Sequence, residues 1–368
     1  MPTEVSQTKP RIFITDCEGP ISKNDNAFEL TKRFVPDGHR FFAIVSKYDD
    51  FLADVIKKPD YKAGDTLRLI LPFLKAYGVT NKKIKDFSAK NILLVPSAKG
   101  TLTFVKNLMP SFIVSTSYEQ YISSLCILTS FPFKNTYCTR LNLDKYNISR
   151  EETKELKKLG KEIAALKIID IPKDAVSKDE FSQRDQQTLE RLDEIFWKKI
   201  ITMESGKMLH DVNPVGGSEK ARAVQHIVKK MDSSLDMIMY VGDSITDAQP
   251  LELVRNNNGL AVSFNGNRYS VRESDIAVLS GNTLVTSILA ETFSRLGKEG
   301  TLKLVNEWNI SKLKKYCAVP ELRIVISTLF SGDFPRVEQI HQDNMERLIN
   351  ESCTFRKTVR GEAIGKLG

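Results

Sequence analysis

The chain has 368 residues, which is more than one typical domain and predicts either two units or one elaborated core. Hydrophobic residues make up 41% and charged residues 27%, a balance that excludes a chain disordered throughout. The formal net charge of +8 is modest for this length and no strong basic block stands out, so we expect no nucleic-acid partner.

The cysteines and the hydropathy pattern bear on the compartment. The five cysteines are odd in number, scattered and without a C-x-x-C pair, which argues for a reducing compartment and against a disulfide framework. The first ten residues hold no apolar run, so we expect no secretory signal. The most apolar stretch, residues 111–133, is broken by polar residues and predicts no membrane span. Together these features predict a soluble, cytoplasmic protein.

Short apolar and β-branched runs recur along the chain and end in small or polar residues. Runs of this kind are typical of strands buried on both faces of a parallel sheet. In chain order, the predicted strands are Arg11–Thr15, Ser111–Ser115, Asp236–Gly242, Gly259–Phe264 and Asp275–Ser280. Helical spacing of apolar residues lies between them, for example behind Ser218, a good helix N-cap. The alternation predicts an α/β fold whose core is a doubly wound, Rossmann-like parallel sheet.

Two long intervals do not fit a plain βαβ unit and are predicted to be helical. Residues 21–95 are predicted to hold helices over Asn26–Phe34, His39–Lys57 and Asp65–Tyr77. Residues 141–205 are predicted to be a helical insertion with helices over Glu151–Leu166 and Lys178–Ile200. Residues 295–368 are predicted to be a mostly helical extension with one strand over Leu322–Ser327. The core would then comprise residues 1–20, 96–140 and 206–294, with 21–95 as a helical cap.

Acidic residues follow the first and third predicted strands. The first strand ends in Asp16-Cys-Glu18, and the third ends in Asp243-Ser-Ile-Thr-Asp247. The carboxyl ends of parallel strands line the ligand crevice of an open α/β sheet. Four carboxylates in one crevice repel each other, so the cluster makes sense if a hard cation such as Mg²⁺ occupies it. The alternative is that these acids are ordinary turn and N-cap residues.

Hydroxyl groups and a lysine complete the predicted strand-end cluster. Ser115 and Thr116 follow the second strand and could bind a phosphate oxygen, although such residues are more often loop or capping residues. Lys220 lies in the first turn of a predicted helix, where a cation is unfavourable for the helix dipole. It either extends to solvent or faces the acidic cluster and a bound anion.

Segments 11–20, 111–118, 216–222 and 238–251, in this order, resemble the haloacid dehalogenase (HAD) superfamily of phosphohydrolases. The first motif has the D-x-E-G form, of an archaeal type, where these phosphatases usually have D-x-D. The helical interval before the second strand and the segment Tyr137–Asp144 resemble the phosphoserine phosphatase-like branch. The chain departs from that branch in the longer interval between Ser115 and Lys220 and in the additional segment after residue 295.

The resemblance implies phosphomonoester hydrolysis through an aspartyl-phosphate. It makes Asp16 the nucleophile and Glu18 the general acid and then the general base. Lys220 and Ser115, helped by Thr116, would bind the phosphoryl oxygens.

The resemblance also implies a Mg²⁺ cofactor. Asp16, the backbone carbonyl of Glu18, and Asp243 would bind the ion. Asp247 would either orient a water on the metal or hold Lys220.

The partner implied is a small phosphorylated metabolite, with phosphoserine-like compounds first. Asp25 and Glu29, just after the first motif, could pair with an ammonium group of such a substrate, or simply begin a solvated helix. Two other functions stay open. One is a non-catalytic regulatory or assembly subunit, for example of an energy-converting complex, and the other is a phosphotransferase. The sequence also leaves the oligomeric state open, with a homodimer as one alternative.

Overall fold

The computed structural model describes residues 9–329, 334–365 and 367. The strands are β1 (Ile12–Thr15), β2 (Ser111–Tyr118), β3 (Thr136–Thr139), β4 (Ile238–Gly242), β5 (Leu260–Phe264), β6 (Ile276–Leu279) and β7 (Arg336–Gln339). The helices up to residue 211 are α1 (Asn26–Phe34), α2 (Gly38–Asp50), α3 (Thr66–Leu69), α4 (Leu71–Ala76), α5 (Asn81–Asn91), α6 (Ala98–Leu108), α7 (Glu119–Thr129), α8 (Arg150–Ala165), α9 (Gln183–Glu194) and α10 (Lys207–Asp211). The later helices are α11 (Ser218–Lys230), α12 (Ala248–Asn256), α13 (Arg268–Arg272), α14 (Leu284–Asn306, broken at Gly297), α15 (Ile310–Tyr316), α16 (Pro320–Leu329), α17 (Met345–Arg360) and α18 (Glu362–Gly365).

One seven-stranded sheet forms the centre of the fold, in the order β3-β2-β1-β4-β5-β6-β7. Strands β1 to β6 are parallel, and β7 pairs with β6 in the antiparallel sense. Thr15, at the end of β1, pairs with Ile113 on one side and Val241 on the other. The residues that follow β1, β2 and β4 therefore emerge side by side. The predicted α/β core with a mostly parallel sheet and helical insertions is confirmed.

The five predicted strands form, with shifts of one to three residues at their ends. Strand β2 runs three residues further than predicted, to Tyr118. The sequence did not predict β3 and β7, which are four residues each and lie at the two edges of the sheet. The strand predicted over Leu322–Ser327 is wrong, because this segment is part of α16. Pro320 has the φ angle of a helix start, and Leu322 and Ile326, four residues apart, are both buried.

Apolar residues on the two faces of the sheet pack against different helices. Phe13 and Val241 face one cluster, which includes Val105 from α6 and Phe293 from α14. Their chain neighbours face the opposite cluster, which includes helices α11 and α12; these residues are Ile12, Ile14 and Tyr240. Successive residues of a strand point to opposite faces of the sheet. Because both faces are covered by helices, the core strands are apolar throughout.

The two predicted helical intervals share one hydrophobic cluster. Its members come from residues 27–84 and from residues 141–212, with Tyr118 and Leu367 in addition. Phe196 from the second interval stacks on Tyr48 with ring centroids 5.8 Å apart and contacts Phe73 edge-on at 6.1 Å. The π-helical turns Phe51–Val55 and Ile195–Lys199 extend α2 and α9. The division into a cap and a separate insertion stays a prediction.

The segment after β7 returns to the sheet edge that carries the predicted site. Leu348 and Ile349 of α17 pack with Val271 and Leu279 of the sheet region. The hydroxyl of Ser352 donates a 2.7 Å hydrogen bond to the carbonyl of Gly266. These contacts fix α17 so that its last turns reach the carboxyl ends of the strands.

Two further observations concern the whole described chain. Within residues 9–329, 334–365 and 367, no helix combines the length and the apolar composition that a membrane span requires. All five cysteines, which lie in this part of the chain, are free thiols.

Candidate active site

Lys220 lies between two carboxylates at the ends of β1 and β4. Its Nζ is 2.9 Å from Oδ2 of Asp16 and 2.7 Å from Oδ1 of Asp247, and its side chain is 0% exposed. The amide of Gly217 donates to the carbonyl of Thr246 at 3.0 Å, so the loop before α11 is tied to the segment after β4. Because the Lys220 side chain is buried, the alternative in which it extends to solvent is excluded. Its ammonium faces the acidic cluster instead.

Asp16 is held from two sides where β1 ends. Its own amide donates to the carbonyl of Val241 at 2.8 Å, and the amide of Cys17 donates to Oδ1 at 2.6 Å. Burial is the main cause that raises the pKa of Asp16 to about 8, against the opposing attraction of Lys220. Asp247 and Asp243 add like charge and raise that pKa further. A positive charge added beside Asp16 would therefore favour its ionised form.

The pKa of Asp247 is shifted in the direction opposite to that of Asp16. Burial alone would raise its pKa, but the charge and hydrogen bond of Lys220 lower it below the usual value. Oδ1 also accepts a 2.8 Å bond from the Tyr240 hydroxyl, and Oδ2 accepts from the amides of Asp243 and Ser244 at 3.1 and 3.2 Å. Burial lowers the pKa of Lys220, but the charges of Asp16 and then Asp247 and the hydrogen bonds to both raise it above the usual value. Lys220 and Asp247 thus form a buried, fully charged pair.

Asp243 completes a group of three acids. Asp16, Asp243 and Asp247 each offer a carboxylate oxygen, and these oxygens lie within 4.8 Å of one another. Within the described residues, Oδ1 of Asp243 is buried without a hydrogen-bond partner. Carboxylate oxygens are the donors that Mg²⁺ prefers, and an unpartnered buried oxygen is where a cation would be bound. The residues present therefore fit a divalent cation.

A cavity of about 100 Å³ adjoins these acids. Asp16, Ser115, Thr116 and Asp243 line it, together with Gly64 and Thr66 from the helical interval 21–95. The Oγ1 atom of Thr116 is buried with no partner among the described residues, whereas Oγ of Ser115 accepts a 3.2 Å bond from the amide of Ser117. The two hydroxyls that were predicted to bind phosphate therefore face the same space as Asp16.

Glu18 and Asp25 also line the cavity. Oε1 of Glu18 accepts a 2.7 Å bond from the amide of Asn26. Burial and then the charge of Asp25 raise the pKa of Glu18 well above its usual value. The carboxylate of Asp25 caps α1 by accepting from the amide of Phe28 at 2.9 Å. Asp25 thus begins helix α1, which was one of the two alternatives from the sequence, and it also borders the cavity.

Glu29 is not brought into this cavity. Both of its oxygens accept from the side-chain amide of Asn24 at 2.9 Å. It borders a separate surface cavity that is lined by Lys32, Lys90 and Leu93, among others. The Glu29 carboxylate is thus held by Asn24, whereas that of Asp25 caps α1 at the border of the first cavity.

Two arginines that the sequence analysis missed lie in the site. Arg356 and Arg360, from the last turns of α17, both bind Oδ2 of Asp243; the Arg360 bond is 3.0 Å long. Both line the cavity, and Arg356 is 3% exposed. The sequence shows these arginines four residues apart, on one face of a helix, but no local pattern links that face to Asp243.

Comparison with known proteins gives a family and a fold. The model of a family described as haloacid dehalogenase-like hydrolases matches residues 77–268, just over half of the chain. This range contains Ser115, Lys220, Asp243 and Asp247, whereas Asp16 lies before it. No curated protein sequence matches the chain.

Solved structures resemble the chain over different extents. A gene product from Archaeoglobus fulgidus is 25% identical, with a TM-score of 0.79, and the match covers 98% of this chain and 99% of that one. A phosphoserine phosphatase in its apo form is 14% identical, with a TM-score of 0.43, over 74% of this chain and 96% of that one. A phospho-aspartyl intermediate analogue of phosphoserine phosphatase is 15% identical, with a TM-score of 0.42, over 73% and 93%.

Proposed function

Because the chain belongs to the haloacid dehalogenase-like hydrolases, we propose that it is a Mg²⁺-dependent phosphomonoester hydrolase that works through an aspartyl-phosphate. One observation carries the proposal. A buried lysine pairs with Asp16 and Asp247 within 3 Å, beside a cavity lined by Ser115 and by Thr116, whose hydroxyl has no partner among the described residues. This arrangement combines a carboxylate nucleophile with a fixed positive charge, which is what transfer of an anionic phosphoryl group needs.

In the first step a carboxylate oxygen of Asp16 forms a bond to phosphorus while the bond from phosphorus to the leaving oxygen breaks. Lys220 and the hydroxyls of Ser115 and Thr116 bind the phosphoryl oxygens, whose charge spreads as the bond breaks. The raised pKa of Lys220 keeps its ammonium charged throughout. Positioning and charge neutralisation supply most of the catalysis in such a reaction.

Glu18 supplies the proton in this mechanism. Burial and then the charge of Asp25 raise its pKa, which favours the protonated form that can donate to the leaving oxygen. In the second step the Glu18 carboxylate takes a proton from water, and the water oxygen attacks phosphorus. The bond from phosphorus to Asp16 breaks, inorganic phosphate forms and Asp16 returns to its starting state.

The cation would be held by Asp16, Asp243 and the backbone carbonyl of Glu18. When bound, Mg²⁺ neutralises charge on the phosphoryl group and on the carboxylates around it. Asp247 keeps Lys220 in place, as its 2.7 Å bond supports. Glu18 enters this set only through its backbone, since its side chain is not among the three clustered carboxylates.

We propose a small phosphorylated metabolite as substrate, with phosphoserine-like compounds tested first. The cavity of about 100 Å³ supports a small leaving group, and the acidic Asp25 at its border supports a cationic one. Gly64 and Thr66, from the interval that we propose as a cap, line the cavity, and there they would exclude water from the aspartyl-phosphate. We further propose a cytoplasmic enzyme without a nucleic-acid partner, and a homodimer is the first oligomeric state to test.

The test is phosphate release by the purified full chain, with and without Mg²⁺, from an aryl phosphate and a panel of phosphorylated metabolites. Asp16→Asn should abolish release and keep the fold, since it is isosteric. Asp86→Asn is the matched control, because Asp86 is an exposed aspartate on α5, and it should keep full activity. A folded protein that binds Mg²⁺ but releases no phosphate would refute the proposal and favour a non-catalytic subunit. Transfer to added alcohols in place of water would identify a phosphotransferase.

A further inference from the structure

Asp243 uses its two carboxylate oxygens in different ways. Oδ2 is bound by Arg356 and by Arg360 at 3.0 Å. Oδ1 has no partner among the described residues, although it is buried. Both guanidinium groups therefore neutralise the one acid of the cluster that Lys220 does not contact.

The two arginines have other anchors besides this carboxylate. Arg356 donates to the backbone carbonyl of Asp243 at 3.1 Å. Arg360 donates to the carbonyls of Lys23, at 3.2 Å, and Asn24. Helix α17 itself is fixed by the 2.7 Å bond from Ser352 to Gly266. The guanidiniums would therefore stay at the cavity wall if the Asp243 carboxylate turned to another partner.

A divalent cation bound at the unpartnered Oδ1 of Asp243 would weaken the hold of the same carboxylate on these arginines at Oδ2. Guanidinium and metal are both positive, so each weakens the attraction of the carboxylate for the other. Once a cation has neutralised Asp243, two charged and largely buried side chains would line the cavity without a compensating anion. Leaving buried charges unpaired is unfavourable, so the cavity would then favour an anionic ligand. The Nε atom of Arg356 is buried and has no hydrogen-bond partner among the described residues.

We propose that Arg356 and Arg360 are counter-ions of Asp243 that are released when a divalent cation binds this carboxylate at Oδ1, and that the released guanidiniums then bind the anionic group of the substrate. This inference rests on the proposed function, since it assigns the cation and the phosphorylated substrate to the same cavity. It makes the two ligands interdependent. The cation frees the arginines for the anion, and the anion compensates the charges that the cation has displaced. Each ligand should therefore bind more tightly when the other is present.

The test is calorimetric titration of Mg²⁺ into the full chain, with and without saturating inorganic phosphate. We expect phosphate to increase the affinity for Mg²⁺ by about tenfold in the unmodified protein. Arg356→Met and Arg360→Met should bind Mg²⁺ more tightly without phosphate and should reduce the effect of phosphate to about twofold or less. Arg347→Met is the matched control on the same helix, since Arg347 is 45% exposed and pairs with Glu338 and Glu351. It should change neither value.

Arg356→Lys keeps the charge and should keep the Mg²⁺ affinity near that of the unmodified protein. If Arg356→Met does not fold, Arg360→Met alone decides. Unchanged or weaker Mg²⁺ binding in the methionine variants, or a phosphate effect that survives them, would overturn the inference, and so would a protein that binds no Mg²⁺. If the protein is a phosphatase but the effect of phosphate on Mg²⁺ affinity is unaltered in the methionine variants, only the role of the arginines is refuted. If that effect depends on the arginines but the protein does not turn over substrate, only the proposed hydrolase activity is refuted.

Discussion

Gly19 approaches Asp243 so closely that a Cβ atom built on the glycine would lie 2.0 Å from Oδ2 of the aspartate. The φ angle of Gly19 is +109°, a conformation that side chains other than hydrogen rarely adopt. Both facts explain why glycine follows the acidic pair of the first motif. The backbone after Glu18 turns beneath the carboxylate that the two arginines hold, and only glycine leaves room for it.

Gly19→Ala should therefore damage both the fold and the site. We expect a loss of about 2 kcal/mol or more in the free energy of unfolding, from the strained φ angle and the displaced carboxylate. Gly100→Ala is the control, because Gly100 lies in α6 with open space around it and alanine there should stabilise by about 0.5–1 kcal/mol. Denaturant unfolding of both variants provides the measurement. Equal stability of Gly19→Ala and the unmodified protein would contradict this account.

The raised pKa of Asp16 predicts how stability depends on pH in the metal-free protein. Asp16 loses its proton near pH 3.8 when unfolded but only near pH 8 when folded. Between these values the folded state binds the extra proton, so stability falls as the pH rises, by up to about 1.4 kcal/mol per pH unit from this group. Asp16→Asn should flatten the decline as far as pH 8. Glu29→Gln, which removes a group with a pKa of about 7, should flatten it only up to pH 7. A slope near pH 7.5 that is identical in Asp16→Asn would refute this assignment.

Tyr240→Phe should lower the stability of the fold and leave the activity nearly unchanged. The Tyr240 hydroxyl donates to the ionised Asp247, and a bond to a charged acceptor contributes about 1.5–3 kcal/mol. Lys220 and two amides still hold Asp247, so turnover should change little. Thermal unfolding and steady-state kinetics of the same preparation measure both. Tyr137→Phe, which removes a hydroxyl from a surface bond with His226, should cost less. A large loss of turnover with unchanged stability would show that Tyr240 acts in the reaction.

Phe196→Ala tests whether the two helical intervals form one cooperative unit. Phe196 is fully buried between Tyr48 and Phe73 of the other interval, so its truncation should cost about 3–5 kcal/mol. Hydrogen exchange should then speed up in α2, far away in sequence, as well as around α9. Phe293→Ala, an equally buried truncation under the sheet, should not accelerate α2 selectively. Exchange that rises around α9 alone would indicate two independent units.

The acidic residues at the strand ends were predictable because the sequence pattern that identifies them is local. Asp16 and Asp243 each follow an apolar run, and parallel strands carry such residues to one edge whatever the rest of the chain does. Lys220 was predictable for a similar reason, since its position in the first turn of α11 conflicts with the helix dipole and so suggests a partner. The polar edge strand β7 was missed because Arg-Val-Glu-Gln lacks an apolar run. It is stabilised by pairing with β6 and not by burial on both faces.

Arg356 and Arg360 could not be predicted from local pattern. Their helix is an ordinary amphipathic segment, and only the docking of α17 brings them to Asp243, 113 and 117 residues earlier in the chain. The shared core of the two helical intervals escaped prediction in the same way. Their apolar stripes identify helices, but the stripes do not reveal which helices face each other.

The contact between Arg360 and the carbonyl of Lys23 joins positions 337 residues apart. Contacts across such separations close long loops, and the entropy cost of this closure slows folding. During synthesis, which adds about 5–20 residues per second, the segments carrying Asp16 and Asp243 leave the ribosome before α17 does. The acidic cluster of the nascent chain is then open to water and to the cations of its surroundings, with Asp243 lacking both guanidinium partners. The docking of α17 therefore completes the site, because it supplies both guanidinium partners of Asp243.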